Sequence, residues 1–275
     1  MLRTKEKLTI FDDNNSTFTD YSNEALDYDR DTFTVTLNSS TSYLYVGFYK
    51  PINTFYTEVG TVNTNAGDFT GEYYNGTTWV AITGMHDETN SFTRSGFIQW
   101  DRNLTDETIV TINSTELFWY RFQPSVTHSA TVLKGLNIVF SDDTDLKREF
   151  FEIADFLPSG ETSHILSHVA SREQVIQAIR QGGLYKYNNT RKDITAFDIH
   201  DVGQIKLAAT YLTLSKIFGA VTDDPDDTYK DKSKEYKAQY GLAVKTPYID
   251  IDTNDDGLRG AGETKQVRTT RIYRE

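Results

Sequence analysis

The hydrophobic period of this chain changes once, near residue 141, and that change limits it to a strand-forming part followed by a helical one. From about Leu8 to Phe140 apolar and polar residues alternate at a period of two, and turn residues come often, which is the pattern of half-buried antiparallel strands. The runs 32–37, 43–48, 96–100, 108–112, 117–122 and 131–140 are read as strands, and Asn75-Gly76 joins 72–74 to 77–82 as a hairpin. Eight or so strands with no helix between them imply a two-sheet antiparallel β-sandwich of jelly-roll type.

After the polar hinge 141–145 the period becomes helical. Asp143 or Thr144 is expected to cap a first helix whose Leu146, Phe150, Ile153, Ala154 and Leu157 repeat at three and four, ending before Pro158. Ser171 and Gln174 form a capping-box pattern for a second helix that stops at Gly182-Gly183. A third is expected from about Asp198 to Ala220. A fourth starts at Asp224-Pro225 and carries Tyr229, Ser233, Tyr236 and Tyr240 on one face. The expected class is therefore α+β in two domains, 1–141 as the sandwich and 142–246 as a helical bundle, followed by a calcium loop and an extended C-terminal arm over 247–275.

That loop, from Asp252 to Glu263, fits D-x-[DN]-x-[DN]-G-x5-E without a gap. A hard divalent cation needs six to eight oxygens and a glycine at the sharp turn. Asp252, Asn254 and Asp256 supply side-chain oxygens, Leu258 its backbone carbonyl, and Glu263 the closing carboxylate; the expected ion is a structural Ca2+. The competing reading is an Asp/Asn/Gly-rich surface turn in an acidic chain. Pro247 to Ile251 before the loop and Arg259 at its eighth position do not suit a paired helix-loop-helix sensor, so an unpaired staple fixing the exit of the arm is expected. Beyond it, Lys265, Arg268, Arg271 and Arg274 recur every third residue as a basic strip that suits an acidic protein surface.

Chemistry elsewhere is sparse. Twenty-eight Lys+Arg against 40 Asp+Glu give a net charge of −12, which opposes nucleic-acid binding, and the lack of Cys removes disulfides and thiolate metal sites. No apolar run is long enough to span a membrane, and Met1 to Lys7 does not read as a signal peptide. His86 and His128 are read as surface or edge residues, Asp101, Asp106 and Glu107 as solvated acids, and Trp79 and Trp100 as filling the sandwich. His164 and His168 have zinc-like spacing but no evident third ligand. No catalytic residue is assigned, and no enzyme activity is expected.

The order 72–79, then 87–98, then Phe118-Trp119-Tyr120-Arg121 resembles a sandwich module of tailed-bacteriophage structural proteins. The helix at 171–181, the Asp198-Ile-His-Asp201 entry into an Ala-rich helix, the Tyr-rich last helix and the extended tail look like the head-to-tail connector (adaptor) proteins of such phages. The resemblance implies a non-enzymatic virion subunit at the neck, assembled in the host cytoplasm, a homo-oligomeric ring of about a dozen copies docked beneath the portal, with portal and tail or neck proteins as partners. The alternative reading is a carbohydrate-binding module joined to a calcium-loop docking domain.

Overall fold

The structure is a computed structural model that describes residues 8–26, 32–101, 105–161, 163–182, 194–221, 228–245, 247–253 and 263–266. The chain divides into two units, Met1–Ile138 and Val139–Glu275. The first is built from β1 (Thr9–Asn14), β2 (Thr17–Asp20), β3 (Phe33–Val35), β4 (Ser42–Phe48), β5 (Thr54–Thr61), β6 (Phe69–Tyr74), β7 (Trp79–Ala81), β8 (Thr83–Asp87), β9 (Gly96–Asp101), β10 (Val110–Ile112), β11 (Thr115–Pro124) and β12 (Thr131–Asn137). They form two antiparallel sheets. The larger has the order β2-β1-β4-β11-β6-β7 with β10 paired to β11, and the smaller has the order β3-β12-β5-β9-β8.

Ring contacts between strands of different sheets show which faces meet. Phe55 on β5 lies 5.3 Å from Phe122 on β11, and Trp100 on β9 lies 5.0 Å from Tyr120. Side chains alternate along a strand, so Tyr120 and Phe122 point inward while Trp119 and Arg121 point to the outer face. By register, Leu44 and Val46 share the inner face, both with no exposed surface. The sandwich and its inner core, Trp100 included, are as the sequence reading expects.

Two short turns set the outer face. Asn14 pairs Thr17 across Asn15-Ser16, and Ile112 pairs Thr115 across Asn113-Ser114. All four turn residues have positive φ, between 45° and 68°. Two-residue loops of this hand match the strand twist, and Asn is the non-glycine residue that tolerates them best. The Asn75-Gly76 hairpin forms as expected, but with a four-residue loop: Tyr74 pairs Trp79, and Asn75 Oδ1 accepts from the N–H groups of Thr77 and Thr78.

His128 is not a surface residue. It is 5% exposed, packs edge-on against Phe69 and Phe92, and its Nε2 lies 2.7 Å from Ser91 Oγ. Burial pushes its pKa down to about 4, so the ring is neutral at physiological pH.

The second unit contains α1 (Asp143–Glu149), α2 (Ile165–Gln181), α3 (Gly203–Ala220) and α4 (Thr228–Ala243), with β13 (Tyr248–Asp250) paired to β14 (Thr264–Gln266). The expected first helix is split. Asp142 and Asp145 form its capping box, Phe150 is extended, and a 3-10 helix follows over Phe151–Phe156. The expected capping box at Ser171 is also corrected. α2 starts at Ile165, and Ser171 lies inside it with its hydroxyl donating to the Ser167 carbonyl 2.7 Å away. The start is instead held from outside, because the His164 N–H donates to the Asp143 carboxylate at 3.1 Å, satisfying a donor that no helical carbonyl can reach.

The tyrosine face of α4 packs on α3 as its spacing implies: Tyr229 and Tyr236 lie over Phe218. Ser215 Oγ donates to the Ser233 carbonyl and Ser233 Oγ to the Ser215 carbonyl, at 2.9 and 2.7 Å. Pro225 lies outside the described residues. No described helix is long and apolar enough to cross a membrane.

Candidate functional site

The outer face of the larger sheet is aromatic where an antiparallel sheet facing water is usually polar. Phe11, Tyr45 and Trp119 are buried there as a cluster, with Phe18, Tyr43, Trp79, Val110, Ile112 and Leu117 packed around it. Trp119 stacks on Phe11 at 5.1 Å and meets Tyr45 edge-on at 6.2 Å. Gly47, opposite Trp119 in the register, leaves room for the indole, since a Cβ there would lie 2.5 Å from the ring. The two Asn-Ser hairpins frame this cluster, β1–β2 contributing Phe18 and β10–β11 contributing Val110, Ile112 and Leu117.

Charged groups enter this apolar surface by register. Arg121 pairs Tyr45 on one side and Glu72 on the other, while Asp13 pairs Tyr43 and Phe18. The Arg121 guanidinium lies 4.3 Å from the Tyr43 ring centre and 4.4 Å from that of Trp79, and its Nε–H donates to Glu72 Oε2. A guanidinium stacked on aromatic rings is favoured by the ring quadrupole and keeps its in-plane donors available.

Asp13 is 7% exposed, and its Oδ1 is buried without a hydrogen-bond partner. Burial holds its carboxyl above the ordinary aspartate range, against a backbone hydrogen bond from Ser16 and the charge of Arg121. A buried acceptor left unsatisfied costs stability, so it requires a reason. Burial also raises the Tyr45 hydroxyl pKa, which keeps that group protonated at neutral pH. The face thus combines half-buried Tyr43 and Trp79, a fixed guanidinium and a carboxylate on either side of it.

The expected place of Trp79 is therefore corrected: it lies on this outer face, not between the sheets. It pairs with Tyr74, which shares a sheet face with Glu72 two residues earlier, and its ring lies against Arg121. Sequence reasoning missed Asp13 and Arg121. The signal was a lone charge inside a strand whose other residues are aromatic or aliphatic, as in Leu117 to Phe122.

The expected calcium loop is described only at its ends. Asp252, Thr253 and Glu263 are buried, at 1%, 4% and 4% exposure. Thr253 donates from its N–H and its hydroxyl to Glu263 Oε1, at 2.9 and 3.1 Å, and Ile251 N–H donates to the Glu263 carbonyl. The β13–β14 pair continues this closure, and the Asp252 N–H donates to the Asp198 carbonyl at 2.7 Å. The first and last residues of the motif are thus brought near each other, and each carries a carboxylate, the hard oxygen donor that a calcium ion takes. Asn254, Asp256 and Leu258 lie outside the described residues. Among the described residues no group of three or more His, Cys, Asp or Glu is placed to hold a metal.

His164 and His168, the pair with zinc-like spacing, have other partners. His164 Nε2 lies 3.1 Å from the Ile153 carbonyl, while His168 sits between Ser141 Oγ at 2.9 Å and Asp143 Oδ1 at 3.1 Å. Burial would raise the Asp143 pKa, but its hydrogen bond from His168 and the charge of that ring outweigh this and hold the carboxyl below its usual range. Ser141 and His168 are 1% and 2% exposed, so this trio joins the start of α1 to α2 and offers no open nucleophile.

The fold and site define a two-sheet antiparallel β-sandwich with an aromatic, charge-bearing outer face, followed by a mixed helical unit. No protein-family model matches the chain, and no curated protein is similar to it. Solved structures similar to it include CpGH89CBM32-6 of Clostridium perfringens, at 13% identity and TM-score 0.30, covering 49% of this chain and 94% of that one. They include chitosan-binding module 1 of a chitosanase/glucanase from Paenibacillus sp. IK-5, at 9% identity and TM-score 0.27, covering 48% and 95%. A third is CBM32-1 from a family 31 glycoside hydrolase of Clostridium perfringens, at 7% identity and TM-score 0.27, covering 42% and 80%.

These findings correct the expectation of a phage head-to-tail connector: the similar structures are carbohydrate-binding modules, no connector family matches, and the virion, neck and portal-binding expectations fall with it. The residues that carried the resemblance are a hairpin, core aromatics and helix faces. Such features recur wherever strands and helices pack, and α2 does not begin at the capping box that had suggested it.

Proposed function

We propose that the first unit is a carbohydrate-binding module whose saccharide site is the outer face of the larger sheet. The observation that carries this reading is the pair of half-buried rings, Tyr43 and Trp79, with the Arg121 guanidinium held between them on one face of the sheet. Saccharides present hydroxyl donors and acceptors around apolar C–H patches, so a site for them needs carboxylates, a fixed cationic donor and aromatic rings within one ligand's reach. Trp79 and Tyr43 supply rings, Glu72 an acceptor and Arg121 donors; Tyr45, which both rings meet at 5.7 and 6.1 Å, forms the floor.

Titrating the full chain with a panel of cell-wall polysaccharides, followed by tryptophan emission, tests this. Saturable binding is expected, weakened about tenfold or more by Trp79→Ala, as loss of a stacking anchor implies. Absence of saturable binding across the panel, or a Trp79→Ala variant that binds as well as the parent, overturns the reading.

For the second unit we propose a structural Ca2+ held by the loop from Asp252 to Glu263, which fixes the β13–β14 pair. At a hundredfold excess over its Kd, calcium is expected to stabilise this unit by about 2–3 kcal/mol. Glu263→Gln should remove most of that gain. Thermal unfolding in calcium and in chelator checks it, and identical curves for the parent chain in both conditions contradict the assignment.

A further inference from the structure

A groove of about 460 Å³ lies between α3 and α4, lined by Gln204, Leu207 and Tyr211 on α3, by Gln239 and Leu242 on α4, and by Pro247 beyond the end of α4. Of the seven large hydrophobic side chains that stand exposed among the described residues, Leu207 and Leu242 lie in this groove, and Tyr248 follows Pro247 at its rim. We propose that the groove receives residues 267–275 of the same chain, whose apolar Val267, Ile272 and Tyr273 cover Leu207 and Leu242.

The direction of the backbone points to this occupant. β13 pairs antiparallel with β14, and Tyr248 stands opposite Gln266 at the end of the ladder. A chain that continues beyond Gln266 in that register passes Pro247, at the mouth of the groove. Gln204, itself a lining residue, donates to Asp250 Oδ2 at 2.9 Å and accepts from the Asp250 N–H at 2.7 Å, so the ladder is fixed to α3 beside the groove. Residues 267–275 lie outside the described residues, but their sequence suits the place. From Val267 to Ile272 an extended chain spans about 17 Å, more than the ~10 Å that separates Gln204 from Tyr211 along α3. At that far end the Tyr211 hydroxyl donates to the Glu149 carboxylate, and Gln239 Nε2 donates to Glu235 at 3.3 Å. Both acids are exposed, and Arg268, Arg271 and Arg274 bring the opposite charge. A second copy fits less well, because a stable dimer buries about 800 Å² on each partner, while this groove takes only a few side chains.

A tethered segment meets its site at an effective concentration on the order of 1 mM, so an intrinsic Kd of ~0.1 mM keeps it about nine-tenths docked and slows its proteolysis about tenfold. The test digests the full chain with trypsin and follows cleavage after Arg268 by mass spectrometry, in wild type, in Leu242→Asp and in a variant joining Ile272→Ser to Tyr273→Ser. Leu242 is 71% exposed, and none of these substitutions alters the residues flanking the cut bond, so the rate reports docking, with circular dichroism checking the fold. Both variants are expected to be cut about tenfold faster than wild type at every protein concentration. Equal rates in the three chains overturn the proposal. Acceleration by Leu242→Asp alone gives the groove to another occupant, and protection that is lost on dilution gives it to a second copy; either result overturns the assignment to this segment.

Discussion

Trp119→Ala is expected to destabilise the first unit by about 3–5 kcal/mol, the usual range for removing a buried tryptophan. The indole is 1% exposed, stacks on Phe11, meets Tyr45 edge-on and fills the space left by Gly47. Its Nε1–H donates to the Thr115 carbonyl at 3.2 Å, which anchors it to the first residue of β11. The loss would not be confined to stability. Trp119 underlies Tyr45, and Tyr45 lies opposite Arg121 in the register, so saccharide affinity should fall even where the variant remains folded. Urea unfolding at pH 7, with affinity measured in buffer, separates the two effects. A destabilisation under 1 kcal/mol would show that the outer cluster is not packed as described.

Asp12→Asn should act in the opposite direction. Asp12 follows Phe11 and so points inward, where it is 7% exposed; its Oδ2 accepts from the Thr36 N–H at 3.3 Å and its Oδ1 has no partner. Burial raises its pKa from 3.8 to about 6, with the Thr36 hydrogen bond opposing and the charge of Asp13 adding. The folded state therefore binds this proton more tightly than the unfolded chain. The resulting stabilisation is complete below about pH 4 and is lost as pH rises through about 6. At pH 7 the ionised group costs up to about 3 kcal/mol relative to its protonated form. Asp12→Asn should recover about 1–3 kcal/mol of this at pH 7 and nothing at pH 3.5, measured by denaturant unfolding at the two values. An equal effect at both pH values would assign the change to packing and not to charge.

The sandwich was legible because its strands alternate and its turns carry Asn, Gly and Ser. The outer face was not, because alternation was read as core on one side and water on the other. Tyr43 to Phe48 and Leu117 to Phe122 are apolar or aromatic on both faces, and a run of that kind marks a strand covered on both sides. Asn113-Ser114 has no glycine to mark it as a turn, although it forms the one that brings Val110 and Ile112 over the aromatic cluster. In the second unit helix existence followed from periodicity, but the start of α2 depends on Asp143, a residue more than twenty positions away that sequence spacing does not connect to it. The motif from Asp252 to Glu263 was local and hence readable. Its coupling to Asp198 and Gln204 was not: Gln204 brackets Asp250 with its amide, donating from Nε2 to Oδ2 and accepting from the backbone N–H.

The most direct test of the central claim is a structure of the full chain with an oligosaccharide from the panel bound at saturation. The account predicts ligand density on the outer face of the larger sheet, against Trp79 and Tyr43 and within hydrogen-bond distance of Glu72 and Arg121. Density at the loop ends of the sandwich or on the second unit, with that face left empty, would contradict it.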